Sequence, residues 1–347
     1  MEDRAQQWRA LKYEGSMTLL QTEFNKFNDA IRLGWIDDQG VLRERRDAIV
    51  DQLRDRLDGP TFSSFNQGSY ELGTGVKPCN GDYDIDVGLR FNTALDEWPD
   101  PVKLKQRVRD ALTEAGVEIQ RPCVTVYYQR RGEPLYHVDL NVYIPDPKNE
   151  GMLYLAIGKE GDSAALKDWR YTDPLALSHQ IDEAYPDARD REQFRRVVRY
   201  LKRWKDVKFP SEGVAAPTGI ALTAAALQWF KAKKQSDAVA NKTHYTDLVA
   251  LAELVSAMAA HASPRLVVRL PAPPQDDLFA RMNQQQMEVF VRKLEALRDA
   301  LTAACADDND ASTSVILREH LGEDFPEITG APKQRAGAAI VSSGAAG

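Results

Sequence analysis

The chain is poor in cysteine, in histidine and in long apolar runs, and each shortage removes a class of protein. Three cysteines in 347 residues, Cys79, Cys123 and Cys305, are too few and too far apart for a disulfide framework or a zinc site. Their odd number suits a reducing compartment. Five scattered histidines form no Ser-His-Asp or Cys-His grouping with supporting context, so covalent nucleophilic catalysis finds no candidate. No apolar run approaches the ~20 residues of a membrane span. The opening "MEDRAQQWRALKYEG" lacks the basic and apolar regions of a secretion signal, and a cytoplasmic protein is expected. Basic charge is also in deficit: 45 Lys and Arg against 52 Asp and Glu leave a net charge of -7. That disfavours bulk DNA binding and anionic membranes, although a local basic patch stays open. What is there is 43% apolar residues with 8% aromatic, enough for one large domain or two ordinary ones.

Periodicity divides the chain. Trp8, Leu11, Leu20, Phe24, Phe27 and Ile31 recur at mostly helical spacing and predict one or two amphipathic helices. A long helix follows over "VLRERRDAIVDQLRDRLDG", with Leu42, Ile49, Val50, Leu53 and Leu57 as its stripe and Gly59-Pro60 as its stop. The period then changes. "TFSSFNQGS" and "YDIDVGLRF" read as strands, "PVKLKQRVRDALTEAG" as a helix ended by Gly116, and "VEIQRPCVTVYYQ" and "LYHVDLNVYIP" as two further strands. After Pro145-Asp146-Pro147 the strands are expected to end, and four helical patterns fill the second half, with the proline-rich "SPRLVVRLPAPPQDD" as an extended connection. The expected organisation is 1–60 as N-terminal helices, 61–150 as a mixed α/β block, 151–332 as a helical lobe and 333–347 as a disordered tail.

One strand is unusual. In "YDIDVGLRF" Ile85, Val87 and Leu89 alternate with Asp84, Asp86 and Gly88, so the apolar set takes one face and the carboxylates the other. In "YHVDLNVYI" a third carboxylate, Asp139, shares a polar face with His137, Asn141 and Tyr143. If the two strands are neighbours, Asp84, Asp86 and Asp139 converge, and three like charges at one spot need cations between them. Oxygen-only ligands point to Mg2+ or Mn2+. Two such ions ~4 Å apart form the clamp used in phosphoryl and nucleotidyl transfer. A bare Asp-x-Asp is more often a turn or a solvated sheet face. Gly68-Ser69, however, precedes the pair at the end of a strand, where a small turn offers N–H groups and a hydroxyl to phosphate oxygens.

Through Gly68-Ser69, Asp84-Ile85-Asp86 and Asp139 the chain resembles the polymerase-β-like nucleotidyltransferases. Through "QGSYELGTGVKP" and "DYDIDVGLRF" it is similar to the bacterial relatives of cyclic GMP-AMP synthase, which make cyclic oligonucleotides in anti-phage defence. The resemblance covers most of the chain. It implies an α+β fold: a palm with a mixed sheet, an N-terminal helical spine and a C-terminal helical lobe. It also implies that Asp84, Asp86 and Asp139 are catalytic and hold two Mg2+ or Mn2+ ions, while Gly68 and Ser69 hold donor phosphates. In the family, a lysine on one helix and a hydroxyl residue at the start of the next contact the triphosphate. Lys202 and Thr218 match those positions.

Arg195, Arg199, Lys202 and Arg203 line one helix face, for which a solvated surface is the ordinary reading. Thr218 follows Pro217, where a helix N-terminus would offer N–H groups to an anion. Gln67 and Tyr83 flank the motifs as candidate base-reading groups. The implied substrates are nucleoside triphosphates, ATP among them, and the implied product is a cyclic di- or trinucleotide acting on a downstream effector. Some enzymes of the family are primed by a ubiquitin-transfer-like companion at the C-terminus. The small-residue ending "AGAAIVSSGAAG" makes Gly347 the candidate for such conjugation, with Ile340 and Val341 as docking residues. Two rivals stay open: a nucleotidyltransferase acting on RNA, protein or a small molecule, and a catalytically silent nucleotide- or RNA-binding module.

Overall fold

A computed structural model describes residues 20–33, 38–79, 83–113, 116–130, 133–209, 216–237 and 242–329. Trp8, Leu11, Ile340, Val341 and Gly347 lie outside these residues. The chain opens with α1 (Gln21–Ile31) and α2 (Asp38–Arg56). The first half continues with β1 (Phe62–Gln67), the single turn α3 (Gly68–Glu71), β2 (Tyr83–Phe91), α4 (Pro101–Ala111), β3 (Val117–Ile119), β4 (Val124–Arg130) and β5 (Glu133–Pro145). Then come β6 (Leu153–Ile157), β7 (Asp168–Thr172), α5 (Ala176–Ala184), α6 (Ala188–Lys208), α7 (Gly219–Trp229), β8 (Lys234–Asp237) and β9 (Lys242–Tyr245). The helices α8 (Asp247–Ala260), α9 (Gln284–Ala306) and α10 (Asp310–Leu321) complete the described chain.

Alternation in the sequence becomes a seven-stranded mixed sheet of order β1-β2-β5-β4-β3, with β6 on β5 and β7 on β6. The central pair, β2 and β5, is parallel, while β1 and β4 flank it antiparallel. A parallel pair needs a long crossover, and α4 with the β3–β4 hairpin supplies it. Val87, Leu89, Val138, Leu140 and Val142 are fully buried on the apolar face, where Ile49 and Leu53 of α2 cover them. Helix α1 belongs elsewhere: Phe24, Phe27 and Ile31 join the helical core beside Tyr200 and Trp204 of α6. The two opening helices therefore serve two different cores.

Several sequence expectations need correction. The helix expected to run to Gly116 stops at Ala111, because Leu112 turns extended (φ -94°, ψ 141°) and buries its side chain in the sheet core. "VEIQRPCVTVYYQ" is two strands, since Pro122 sits where the chain reverses and Ile119 pairs with Val124. Strands do not end at Pro147: β6 and β7 extend the same sheet to Thr172, and β8–β9 forms a small hairpin among the helices. The hairpin segments "KQSD" and "KTHY" carry no apolar alternation that sequence reading could detect. The connection over "SPRLVVRLPAPPQDD" forms neither helix nor strand, as expected.

Candidate active site

Register brings the three aspartates together. Asp86 in β2 is the Cα partner of Asp139 in β5, Gln67 at the end of β1 is the partner of Asp86, and Thr125 in β4 is the partner of Asp139. Gln67, Asp86, Asp139 and Thr125 thus form one row across four strands, with Asp84 two residues away on the same face of β2. The row is chemically crowded. Burial, and then repulsion from Asp84 and Asp139, push the Asp86 carboxyl up to about 7, with Asn141 as an opposing hydrogen-bond partner. Among the described residues no group of three or more His, Cys, Asp or Glu side chains is drawn in tightly enough to hold a metal ion as it stands, and like charges with no cation between them are expected to spread. A set of oxygen ligands in which burial, and then neighbouring carboxylates, disfavour the charge on one member is what a hard divalent cation would relieve, so the residues fit Mg2+ or Mn2+.

The Gly-Ser turn meets this row directly. Gly68 has φ +65°, and a Cβ on it would lie 2.0 Å from Asp86 Oδ2, so only glycine lets the carboxylate reach the backbone here. Gln67 is fixed from the other side, since the buried Tyr143 hydroxyl donates to its Oε1 at 2.9 Å. Phe65 packs 5.7 Å from the Tyr143 ring and lies against Gly88, whose hydrogen leaves room for the Phe65 ring. Gln67, Gly68, Ser69, Asp84, Asp86, Lys202 and Thr218 all line one cavity of about 990 Å³, with His137 and Tyr143 in its wall. Asp139 is not part of the lining. It contacts the group through the row, with Oδ2 3.9 Å from His137 Nε2.

Lys202 and Thr218 come from the helical lobe. Thr218 is the N-cap of α7, its hydroxyl accepting from the Ala221 N–H at 3.3 Å. Lys202 is 6% exposed, and burial pulls its amine down to about 8 against the opposing attraction of Asp84.

The cationic face of α6 is not solvated. Arg199 and Arg203 are as buried as Lys202, and the run of basic side chains grips the loop that follows Gly68-Ser69. Arg195 Nε donates to the Leu72 carbonyl at 3.0 Å, and Arg199 donates to Gly73 O through Nε and Nη2 at 3.2 and 3.0 Å. Lys202 Nζ donates to Thr74 O and Oγ1, both at 3.0 Å, and Arg203 Nη2 to Lys77 O at 2.9 Å. Gly73 has φ +67°, and a Cβ there would stand 3.2 Å from Arg195 Nε.

The ordinary reading of a charge run fails here for a physical reason. Residues 72–79 form no strand or helix, only an isolated bridge between Val76 and Arg32. Their carbonyls need donors from elsewhere, and spacing on α6 alone cannot reveal which backbone will seek them. Thr125 is the other residue sequence reading passed over, because only the β4–β5 pairing places it beside Asp139. Tyr83 opens β2, and its side chain lies outside the described set.

A mixed sheet with Gly-Ser ending one strand, Asp-x-Asp on the next and a third Asp on its parallel neighbour is the palm of the polymerase-β-like nucleotidyltransferases, backed here by a helical lobe. Residues 61–143 match the cyclic GMP-AMP synthase DncV-like nucleotidyltransferase domain, and residues 191–329 match the cyclic GMP-AMP synthase C-terminal domain. The chain belongs to the DncV-like nucleotidyltransferase family. A cyclic GMP-AMP synthase of Escherichia albertii is 27% identical over 275 residues, 76% of this chain and 55% of that protein, so the chain spans about half the length of this relative. The fold agrees with that of Bradyrhizobium diazoefficiens CD-NTase CdnG in complex with GTP, at TM-score 0.66, 17% identity, and coverage of 88% of this chain and 96% of the other. Vibrio cholerae DncV cyclic AMP-GMP synthase aligns at TM-score 0.58 and 19% identity over 93% of this chain and 84% of its own. No helix among the described residues is long and apolar enough to cross a membrane.

Proposed function

We propose that the chain is a metal-dependent, template-independent nucleotidyltransferase that joins ribonucleoside triphosphates and closes the product into a cyclic di- or trinucleotide, a second messenger in anti-phage defence. The observation that carries this reading is the convergence on one cavity of the Gly68-Ser69 turn, the Asp84 and Asp86 carboxylates and, from the opposite lobe, Lys202 and Thr218. Asp84, Asp86 and Asp139 would hold two Mg2+ or Mn2+ ions. When bound, such ions offset the carboxylate charge, lower the barrier to deprotonating an acceptor hydroxyl and shield the triphosphate.

The chain's own groups orient the reaction. Ser69 and the N–H groups of its turn hold donor phosphates, and Lys202 with Thr218 hold the triphosphate from the helical side. Gln67, whose Oε1 accepts from the Tyr143 hydroxyl, keeps its amide N–H2 as the donor it would offer a bound nucleotide. The acceptor hydroxyl gives up its proton to solvent water, its oxygen bonds to the α-phosphorus, and the bond from that phosphorus to the β-phosphate bridging oxygen breaks, so that pyrophosphate leaves. A cavity of about 990 Å³ lies at the upper end of the range for ligand sites and has room for a donor and an acceptor together. Cyclisation then needs the linear product to turn around in the same site.

Substrates including ATP, a cytoplasmic location, a downstream effector and conjugation of Gly347 by a ubiquitin-transfer-like companion complete the proposal by family resemblance. The test is incubation with the four ribonucleoside triphosphates and Mg2+ or Mn2+, with mass spectrometry of phosphatase-resistant product and Asp86→Asn as control. Label appearing only on added RNA or protein would favour the single-transfer rival. Triphosphate binding without turnover would favour the silent module.

A further inference from the structure

We propose that Thr125 is a positioning residue for Asp139, setting the orientation of the third metal-binding carboxylate; the inference rests on the reading of the site given above. Thr125 is 3% exposed, and its hydroxyl donates to Asp139 Oδ1 at 2.6 Å. That length belongs to the short, strong class of O–H···O⁻ bonds. It joins Cα partners in adjacent antiparallel strands, so the backbone already fixes both ends.

The Thr125 end is itself anchored. Just before β4, the fully buried Lys105 amine donates to the carbonyls of Gln120 and Arg121 at 2.8 and 2.7 Å, and to Gly158 at 2.8 Å. Gln120 N donates to Cys123 O at 3.0 Å, and Cys123 Sγ lies 3.4 Å from Thr125 Oγ1. A carboxylate at the end of a strand side chain rotates freely about its last bond unless an oxygen is held. Thr125 holds Oδ1, and Oδ2 is the oxygen it does not engage. Because Asp139 partners Asp86 on its other side, an unheld Asp139 would turn within a row that is already crowded with negative charge.

Groups that hydrogen-bond a metal-ligating carboxylate typically change metal affinity or activity ~10–100-fold when removed. Thr125→Val and Thr125→Ala delete the hydroxyl, the first keeping β-branching and the second adding no bulk against Oδ1; Thr125→Ser restores the donor. Mn2+ is titrated into the full chain without nucleotide and followed by electron paramagnetic resonance, and kcat and KM for ATP are measured alongside. The expected result is Mn2+ binding weakened ~10–100-fold in both deletions, recovered in Thr125→Ser, with kcat reduced and KM for ATP little changed.

Wild-type Mn2+ affinity in both deletions, while Asp139→Asn loses it, overturns the inference alone. Loss in the deletions without recovery in Thr125→Ser reduces Thr125 to strand packing and also overturns it. Unchanged Mn2+ binding in Asp139→Asn takes down the reading of the site, and the inference with it.

Discussion

Asp86→Asn tests the charge reasoning at its most exposed point. The side chain's ordinary value is 3.8, and in the folded chain without a bound cation it stands at about 7. A folded value above the unfolded one means that between about pH 4 and pH 7 the native state keeps a proton the unfolded state has released. Stability therefore falls as pH rises through that window and levels off above it. At ~1.4 kcal/mol per pH unit of displacement, the full penalty above pH 7 is about 4 kcal/mol. A cooperative unit of roughly 150–250 residues loses ~2–4 °C per kcal/mol, so the metal-free wild type should melt on the order of 10 °C lower at pH 8 than this group alone would allow at pH 4. Asparagine carries no such penalty.

The measurement is a set of thermal melts in chelator from pH 4.5 to 8.5, read as variant minus wild type so that other titrating groups cancel. The difference should be near zero at the acid end and favour Asp86→Asn increasingly towards pH 7.5. Added Mn2+ should stabilise the wild type and not the variant, while the variant makes no product. A difference that stays flat with pH would refute the crowding argument, whatever the activity result.

Gly68→Ala should fold, with a strain of ~1–2 kcal/mol from the left-handed backbone, yet lose incorporation entirely, since its Cβ must displace the Asp86 carboxylate; melting and product assays separate the two effects. Lys202→Met should raise the KM for donor triphosphate ~10–100-fold, the range for losing a charged hydrogen bond, with a smaller change in kcat. In the wild type the same KM should climb above pH 8 as the buried Lys202 amine, pulled down to about 8, loses its proton, and a flat KM from pH 7 to 9.5 would contradict the assignment. Arg195→Met removes the donor to Leu72 O and should cost ~1 kcal/mol, with faster amide exchange confined to residues 72–79 and unchanged exchange in β2 and β5.

What sequence could show was set by how local the signal is. The alternation of Ile85, Val87 and Leu89 with two aspartates is a property of six adjacent residues, and the structure returns it unchanged, with that apolar set buried. The same holds for the helix start near Thr218 and for the stripe Ile49, Val50 and Leu53 on α2. The convergence of Asp86 and Asp139 depended on two strands being neighbours, which register then supplied. Partners set by the fold were invisible. Nothing in "CVTVYY" marks Thr125 as the hydrogen-bond donor to a carboxylate 14 residues later. Nothing in the spacing of Arg195, Arg199, Lys202 and Arg203 says that they will donate to the backbone of a loop. Leu112 ended a helix early because a hydrophobic side chain found a better place in the sheet core, a tertiary override of local propensity.

The grip of α6 on the loop after Ser69 also limits how the chain could be recombined. Donors and carbonyls meet across sequence separations of 123 to 128 residues, so the loop's shape is written in the opposite half of the chain. A palm expressed without α6 would hand those carbonyls to water and lose the conformation that lays Gly68 against Asp86, even if its sheet survived. Chimeras pairing one relative's palm with another's helical lobe would therefore stand or fall on the match between residues 195–203 and 72–79. A well-chosen junction near Thr172 could not rescue a mismatch there. The two halves, separable by eye, are inherited as one part.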